Sequence, residues 1–198
     1  MSSRSVVGTL TAAAACLLAA AAWAGPQVGQ PAPDFSLADA QGGLHALSQY
    51  RGRIVVLEWT NPDCPYVQRH YREGTMRVLA GAYPAQQVAW LAVNTTHYNT
   101  PAATQEWSRS QGLTYPTLID SAGQVGRLYG ATTTPNMFVI DPQGLLAYAG
   151  AVDDDPRGEK GPEARTNYVR QAIGALLASQ PVSPAETRPY GCSVKYAK

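Results

Sequence analysis

The chain has 198 residues, with 15 lysines and arginines against 14 aspartates and glutamates, for a formal net charge of +1. A balance this even leaves no electrostatic footprint for nucleic acid or for an anionic membrane surface. The length suits one domain with a full core rather than two.

Residues 1–24 are expected to form a cleavable signal peptide and not part of the fold. Arg4 gives a positive start, Val6 to Ala22 an Ala/Leu-rich apolar stretch, and Ala22-Trp23-Ala24 a small-x-small cleavage site before Gly25. The alternative is a membrane anchor, for which the stretch is short, Ala-rich and without a stop-transfer flank. Ala13-Ala14-Ala15 ahead of Cys16 lacks the large aliphatic residue of a lipid-anchor signal. Cleavage implies a periplasmic or secreted protein with no membrane insertion afterwards. It leaves Cys64 and Cys192 in a compartment where disulfides persist, and two cysteines in an exported chain most simply pair with each other.

Gly25 to Pro33 reads as an irregular lead-in. Asp34–Leu37 and Leu44–Leu47 flank the Gly-rich turn Asp39-Ala-Gln-Gly-Gly43 and predict an N-terminal hairpin. Ile54-Val-Val-Leu57 is a continuous apolar, β-branched run, the pattern of a strand buried on both faces. Asn61-Pro-Asp breaks it, and Pro65 suits the first turn of a helix running towards Leu79, with Gly74 as a possible interruption. Val88–Val93 predicts a second buried strand, and Pro101–Gln111 a helix closed by Gly112. Tyr115–Ile119 and Gln124–Tyr129 predict a short extended piece and a short helix. Asn136–Asp141 and Leu145–Ala149, joined by Pro142-Gln-Gly144, predict a second hairpin. Glu163–Ala178 predicts a closing amphipathic helix with Val169, Ile173, Leu176 and Leu177 on one face. The domain is expected over residues 25–180, and residues 181–198 form a Pro-broken tail carrying Cys192. Strands alternating with helices, then an antiparallel pair and a last helix, point to an α/β fold with a mixed sheet.

Cys64 lies between a buried strand and a helix start, where free backbone N–H groups and the helix dipole favour a thiolate. Arg69, His70 and Arg72 add positive potential if they face the sulfur. Such a thiolate attacks disulfides, peroxides and other soft electrophiles; the alternative is an inert half-cystine.

Gly29-Gln-Pro-Ala-Pro-Asp-Phe35, Ile54-Val-Val-Leu-Glu-Trp59, Asn61-Pro-Asp-Cys-Pro65 and Thr132-Thr-Thr-Pro135 before a strand resemble the redoxin branch of the thioredoxin superfamily, the AhpC/TSA-like group. The similarity spans roughly Pro26 to Leu177 and implies a thioredoxin-like fold, a mixed central sheet flanked by helices. Two departures stand out. Thioredoxins carry Cys-x-x-Cys, where this chain has Cys64-Pro-Tyr-Val67. The peroxiredoxin motif is missing too, since Thr60 and Pro62 stand in the wrong order and spacing. The chain therefore resembles the peroxiredoxin-like subgroup that keeps only the thioredoxin-type first cysteine. The resemblance implies a thiol–disulfide oxidoreductase acting on protein thiols or disulfides or on a reducing redox partner, or a weak thiol peroxidase. No organic cofactor is implied, because the sulfurs carry the electrons. A non-catalytic binding module is the reading from another class.

Cys192 is the candidate second thiol, because closing a long loop adds only slowly to the entropic cost. It either resolves a mixed disulfide or sulfenate at Cys64, or forms a structural clasp worth ~4–5 kcal/mol in the chain-entropy model. The resemblance implies a cis Thr134–Pro135 bond facing the cysteine, with Thr134, Pro135 and Pro65 forming the substrate platform. Glu58 stands near the offset of thioredoxin's buried acid. Buried, it would have a raised pKa suited to proton transfer; the alternative is a carboxylate reaching solvent at the strand end. His45, His70 and His97 have no ligand spacing with the cysteines, so no metal site is expected. Asp153-Asp-Asp155 reads as a solvated turn, and Trp59, Trp90 and Trp107 as core or groove residues.

Overall fold

The structure, a computed structural model, describes residues 25–198; the expected signal peptide lies outside the described residues. Five strands form the central sheet: β3 (Ile54–Thr60), β4 (Val88–Asn94), β5 (Thr117–Ile119), β7 (Asn136–Ile140) and β8 (Leu146–Gly150). Their order is β5-β4-β3-β7-β8, with β3, β4 and β5 parallel and β7 and β8 antiparallel. The hairpin β1 (Ser36–Ala38) and β2 (Leu44–Ala46) precedes the sheet, as its Gly-rich turn predicts.

All of β3 is buried, because the sheet is covered on both faces. Side chains alternate along a strand, so Val55, Leu57 and Trp59 enter one layer with Phe35, Leu47, Tyr129 and Phe138. Ile54 and Val56 enter the other, against Val67, Tyr71, Val169 and Ile173. That second layer comes from α1 (Pro65–Arg72), α2 (Thr75–Gly81) and α5 (Tyr168–Leu177). Between β4 and β7 the chain adds α3 (Pro101–Ser110), whose N-terminus is capped by the Thr100 hydroxyl accepting from the Ala103 N–H at 3.1 Å, and α4 (Gln124–Leu128).

The interruption foreseen at Gly74 is present, and the start of the closing helix differs from the sequence expectation. Gly74 adopts φ +73°, which ends α1 and starts α2 as a separate helix. The closing helix begins at Tyr168, capped by the Asn167 side chain, and not at Glu163. Glu163 lies in a short 3-10 turn, and Arg165 is taken up by ion pairs with Glu73 and Asp155. An acid cluster competing for one arginine overrides local helix propensity here.

The tail does not trail away from the domain. Thr187 bridges to Ala149 and Ala151 through its backbone and hydroxyl. Further on, β9 (Cys192–Ser193) pairs antiparallel with β6 (Thr133–Thr134), setting Cys192 opposite Thr134. Val194 is buried against the sheet layer that holds Trp59.

Candidate functional site

Cys64 is the N-cap of α1, and Pro65 follows as the first helical residue because its missing N–H has no partner to lose there. The cysteine is closed off, only 1 % exposed. Its Sγ donates to the Thr134 carbonyl at 2.9 Å and makes no cap bond to the helix in this form. Cys192 lies beside it, half-buried against the same cluster. Both are free thiols.

Burial alone would push the Cys64 thiol up. Hydrogen bonding with Thr134 and with the Cys192 side chain, and the N–H groups of Val67 and Cys192, outweigh it, and the pKa lies below the ordinary thiol value. The Val67 N–H is the unpaired donor that a helix start offers to an anion. Cys192 moves the other way, to about 11, through burial and then through its hydrogen bond to Cys64 and the charge there. One sulfur of the pair is thus tuned towards thiolate and the other towards thiol.

The sequence-predicted residues gather unequally. Cys64, Cys192, Thr134, Pro135 and Pro65 meet at one end of the sheet. Thr134–Pro135 is a cis peptide, and both residues are buried. The edge expected to present backbone to a substrate is filled by the protein's own tail. Pro65 is exposed.

Glu58 lies elsewhere, fully buried beneath α1, which overturns the solvent-reaching alternative. Its carboxylate accepts from the Tyr71 hydroxyl at 2.8 Å and the Trp90 indole at 2.9 Å, with Tyr115 at 3.5 Å. Burial raises its pKa to about 7 against the pull of those donors. The strongest influences on Cys64 do not include it.

The expectation that Arg69, His70 and Arg72 add positive potential at the sulfur is also corrected. Arg72 is exposed. Arg69 donates to the Asp155 carbonyl at 2.9 Å. His70 is fully buried, and burial with the neighbouring Arg69 charge lowers its pKa to about 4, so it is neutral. Its Nε2 lies 3.1 Å from the Tyr190 hydroxyl, which itself donates to Asp153.

The acidic triplet is the third correction. Asp153 and Asp155 are buried, 1 % and 3 % exposed, and Arg165 lies 3.1 Å from Asp155; only Asp154 pairs near the surface, with Lys160. Trp59 belongs to the core, its indole donating to Thr95 at 3.0 Å. Trp90 binds Glu58, and Trp107 packs edge-on against Tyr71. His45 bonds Asp39 and Tyr50, and His97 packs against Tyr98.

Sequence reasoning missed Tyr190 and Gly191, which dock the tail. Gly191, at φ +139°, passes so close to Thr134 that a Cβ would stand 2.0 Å from its carbonyl oxygen. Their only signal is adjacency, a Tyr-Gly pair immediately before the last cysteine.

A mixed sheet with a cysteine capping the helix after its central strand, facing a Thr–Pro bond, defines a protein of thioredoxin-like fold. The AhpC/TSA family model matches residues 28–149, and the chain belongs to that family. Among its relatives is the thiol-disulfide oxidoreductase ResA of Geobacillus thermodenitrificans, 36% identical over 119 residues, which cover 60% of this chain and 66% of ResA. The match thus spans just under two thirds of that relative's length. Two solved structures are similar over 86% of this chain at 26% identity: a hypothetical protein from Sinorhizobium meliloti (TM-score 0.77, 95% of that chain) and an uncharacterized conserved protein from Geobacillus kaustophilus (TM-score 0.76, 93% of that chain).

Proposed function

We propose that the protein is a thiol–disulfide oxidoreductase whose redox pair is Cys64 and Cys192, which exchanges electrons with protein thiols or disulfides or with a reducing partner. The observation that carries this reading is the bridge between Thr134 and Cys192, which delivers the second sulfur onto the first across the sheet end. Relatives carrying the name thiol-disulfide oxidoreductase support it. The opposed tuning of the two thiols suits exchange, where one sulfur must leave as an anion. In this reading Glu58, a buried acid held by Tyr71 and Trp90, takes no direct part in the exchange.

We also infer export, from the residue pattern of positions 1–24; among the described residues no helix is long and apolar enough to cross a membrane. N-terminal sequencing of the protein from its natural compartment tests this, with Gly25 expected as the first residue.

The test of function is a redox titration against glutathione buffers with mapping of the linked cysteines. A Cys64–Cys192 link opening in the range of known oxidoreductases, roughly −120 to −270 mV, supports the reading. A link that opens only below about −300 mV makes the pair a clasp and the protein a binding module.

A further inference from the structure

We propose that the redox partner meets Cys192 and not Cys64: exchange enters at the tail sulfur, and Cys64 is the leaving group. This rests on the oxidoreductase reading of the pair and assigns the direction of attack within it.

Three features of the site carry the assignment. First, Cys64 is 1 % exposed, whereas Cys192 is only half-buried, so in the cross-linked pair the tail sulfur lies on the solvent side. Attack on a disulfide runs in line with the S–S bond, which for Cys192 means from the side away from Cys64 and for Cys64 means from inside the core. Second, β9 occupies the edge at Thr133 and Thr134, and Pro135 is buried. A partner therefore cannot lie there as an added strand, and reaches the site end-on. Third, the tail is tied down on both sides of Cys192. Before it, the Tyr190 hydroxyl donates to buried Asp153 and contacts His70. After it, Val194 N–H donates to Thr132, His97 N–H to Lys195, and the Tyr196 hydroxyl to Ala131 at 2.7 Å. The sulfur is held in place without being covered; exposed Tyr98 stands near it, and exposed Tyr66 packs against Tyr190.

The chemistry agrees with the geometry. A thiolate partner attacks Cys192 Sγ; a partner–Cys192 bond forms, the Cys64–Cys192 bond breaks, and its electron pair leaves on Cys64. A second partner thiolate then attacks the partner sulfur of the mixed disulfide. This releases the partner's own disulfide and the Cys192 thiolate, which takes a proton from solvent. A sulfur of lowered pKa leaves faster, and Cys64 is the lowered member of the pair. The helix start that stabilises its thiolate is already in place and needs no rearrangement. The order is the reverse of one in which the helix-capping cysteine meets the partner.

Tyr190 is the positioning residue of this arrangement, acting through Cys192. Its substitution by Phe removes the bond to Asp153 and should slow capture at Cys192 by roughly ten-fold.

The experiment uses the oxidised native protein. It is mixed with excess glutathione, quenched in acid after milliseconds to seconds, alkylated and mapped by mass spectrometry. The expected result is glutathione on Cys192 with Cys64 alkylated, at least ten times more abundant than the converse at the earliest times. Glutathione on Cys64 with Cys192 alkylated overturns the assignment and leaves the oxidoreductase reading standing. Failure of the oxidised protein to form a Cys64–Cys192 link overturns both. The Cys64→Ser variant supplies the second measurement: incubated with glutathione disulfide, it should accumulate a stable adduct on Cys192. No adduct in a variant with native circular dichroism also overturns the assignment.

Discussion

Gly191→Ala is the sharpest perturbation of the site, because it alters no sulfur and removes no hydrogen-bonding group. A Cβ at this position would stand 2.0 Å from the Thr134 carbonyl oxygen and 2.7 Å from its carbonyl carbon, on a backbone at φ +139° that side chains rarely adopt. Ordinary contacts begin near about 3.5 Å, so the tail must withdraw by roughly 1 Å or more, and Cys192, the next residue, withdraws with it. A displacement of that size lowers the effective concentration of one sulfur at the other by on the order of 100-fold, and the equilibrium for closing the disulfide falls with it. For a two-electron couple each tenfold is about 30 mV, so the potential of the pair should rise by about 60 mV and the disulfide become easier to reduce. Native protein and variant are titrated side by side in glutathione buffers, with thermal unfolding of both reduced forms as a control for global damage. A potential unchanged within about 15 mV, with the reduced variant as stable as the native protein, would refute the claim that the close pass of Gly191 sets the distance between the sulfurs.

Two further predictions concern groups buried under α1. Ionisation of Glu58, at about 7, costs stability as pH rises from 4.5 to 7, whereas protonation of His70, at about 4, costs stability as pH falls from 6.5 to 4. Urea midpoints of the native protein should therefore change little between pH 5 and 6. Across pH 4.5 to 6.5, stability should climb with pH in Glu58→Gln and fall in His70→Gln, each by about 3 kcal/mol; parallel curves for the three proteins would sink both assignments. Arg165→Met leaves the buried carboxylates of Asp153 and Asp155 short of their shared cation and should lower unfolding free energy by about 3–5 kcal/mol, so a loss below about 1 kcal/mol would mean that the cluster is balanced some other way.

What the sequence made legible follows from how local each signal is. Ile54–Leu57 reads as a doubly covered strand because its neighbours need only be apolar, and Asn61-Pro-Asp-Cys-Pro65 marks a helix start through residues adjacent in the chain. Glu58 could be placed on β3 but not judged buried, since its partners Tyr71, Trp90 and Tyr115 come from three separate segments. The acidic triplet misled for the same reason: Arg165 and Tyr190, which make burial tolerable, lie well downstream. His70 and Arg69 are near Cys64 in sequence, yet α1 turns both towards Asp155 and Tyr190. The tail was visible as a carrier of Cys192, but its path depends on a two-residue pairing with β6 that leaves no periodicity to read.

In the proposed reading, a disulfide between the helix start and the tail also turns redox state into a length. Cys64 and Cys192 stand more than a hundred residues apart, so in the oxidised form that whole stretch is a closed ring even when the protein is unfolded. Pulled from its ends, the reduced chain would pay out about 400 Å of contour that the oxidised chain withholds. Any machine that threads the polypeptide through a narrow pore meets a single strand in one state and a double-stranded knot of chain in the other. In the proposed reading, the two sulfurs of the redox pair thus also set how wide a channel must be to draw the protein through.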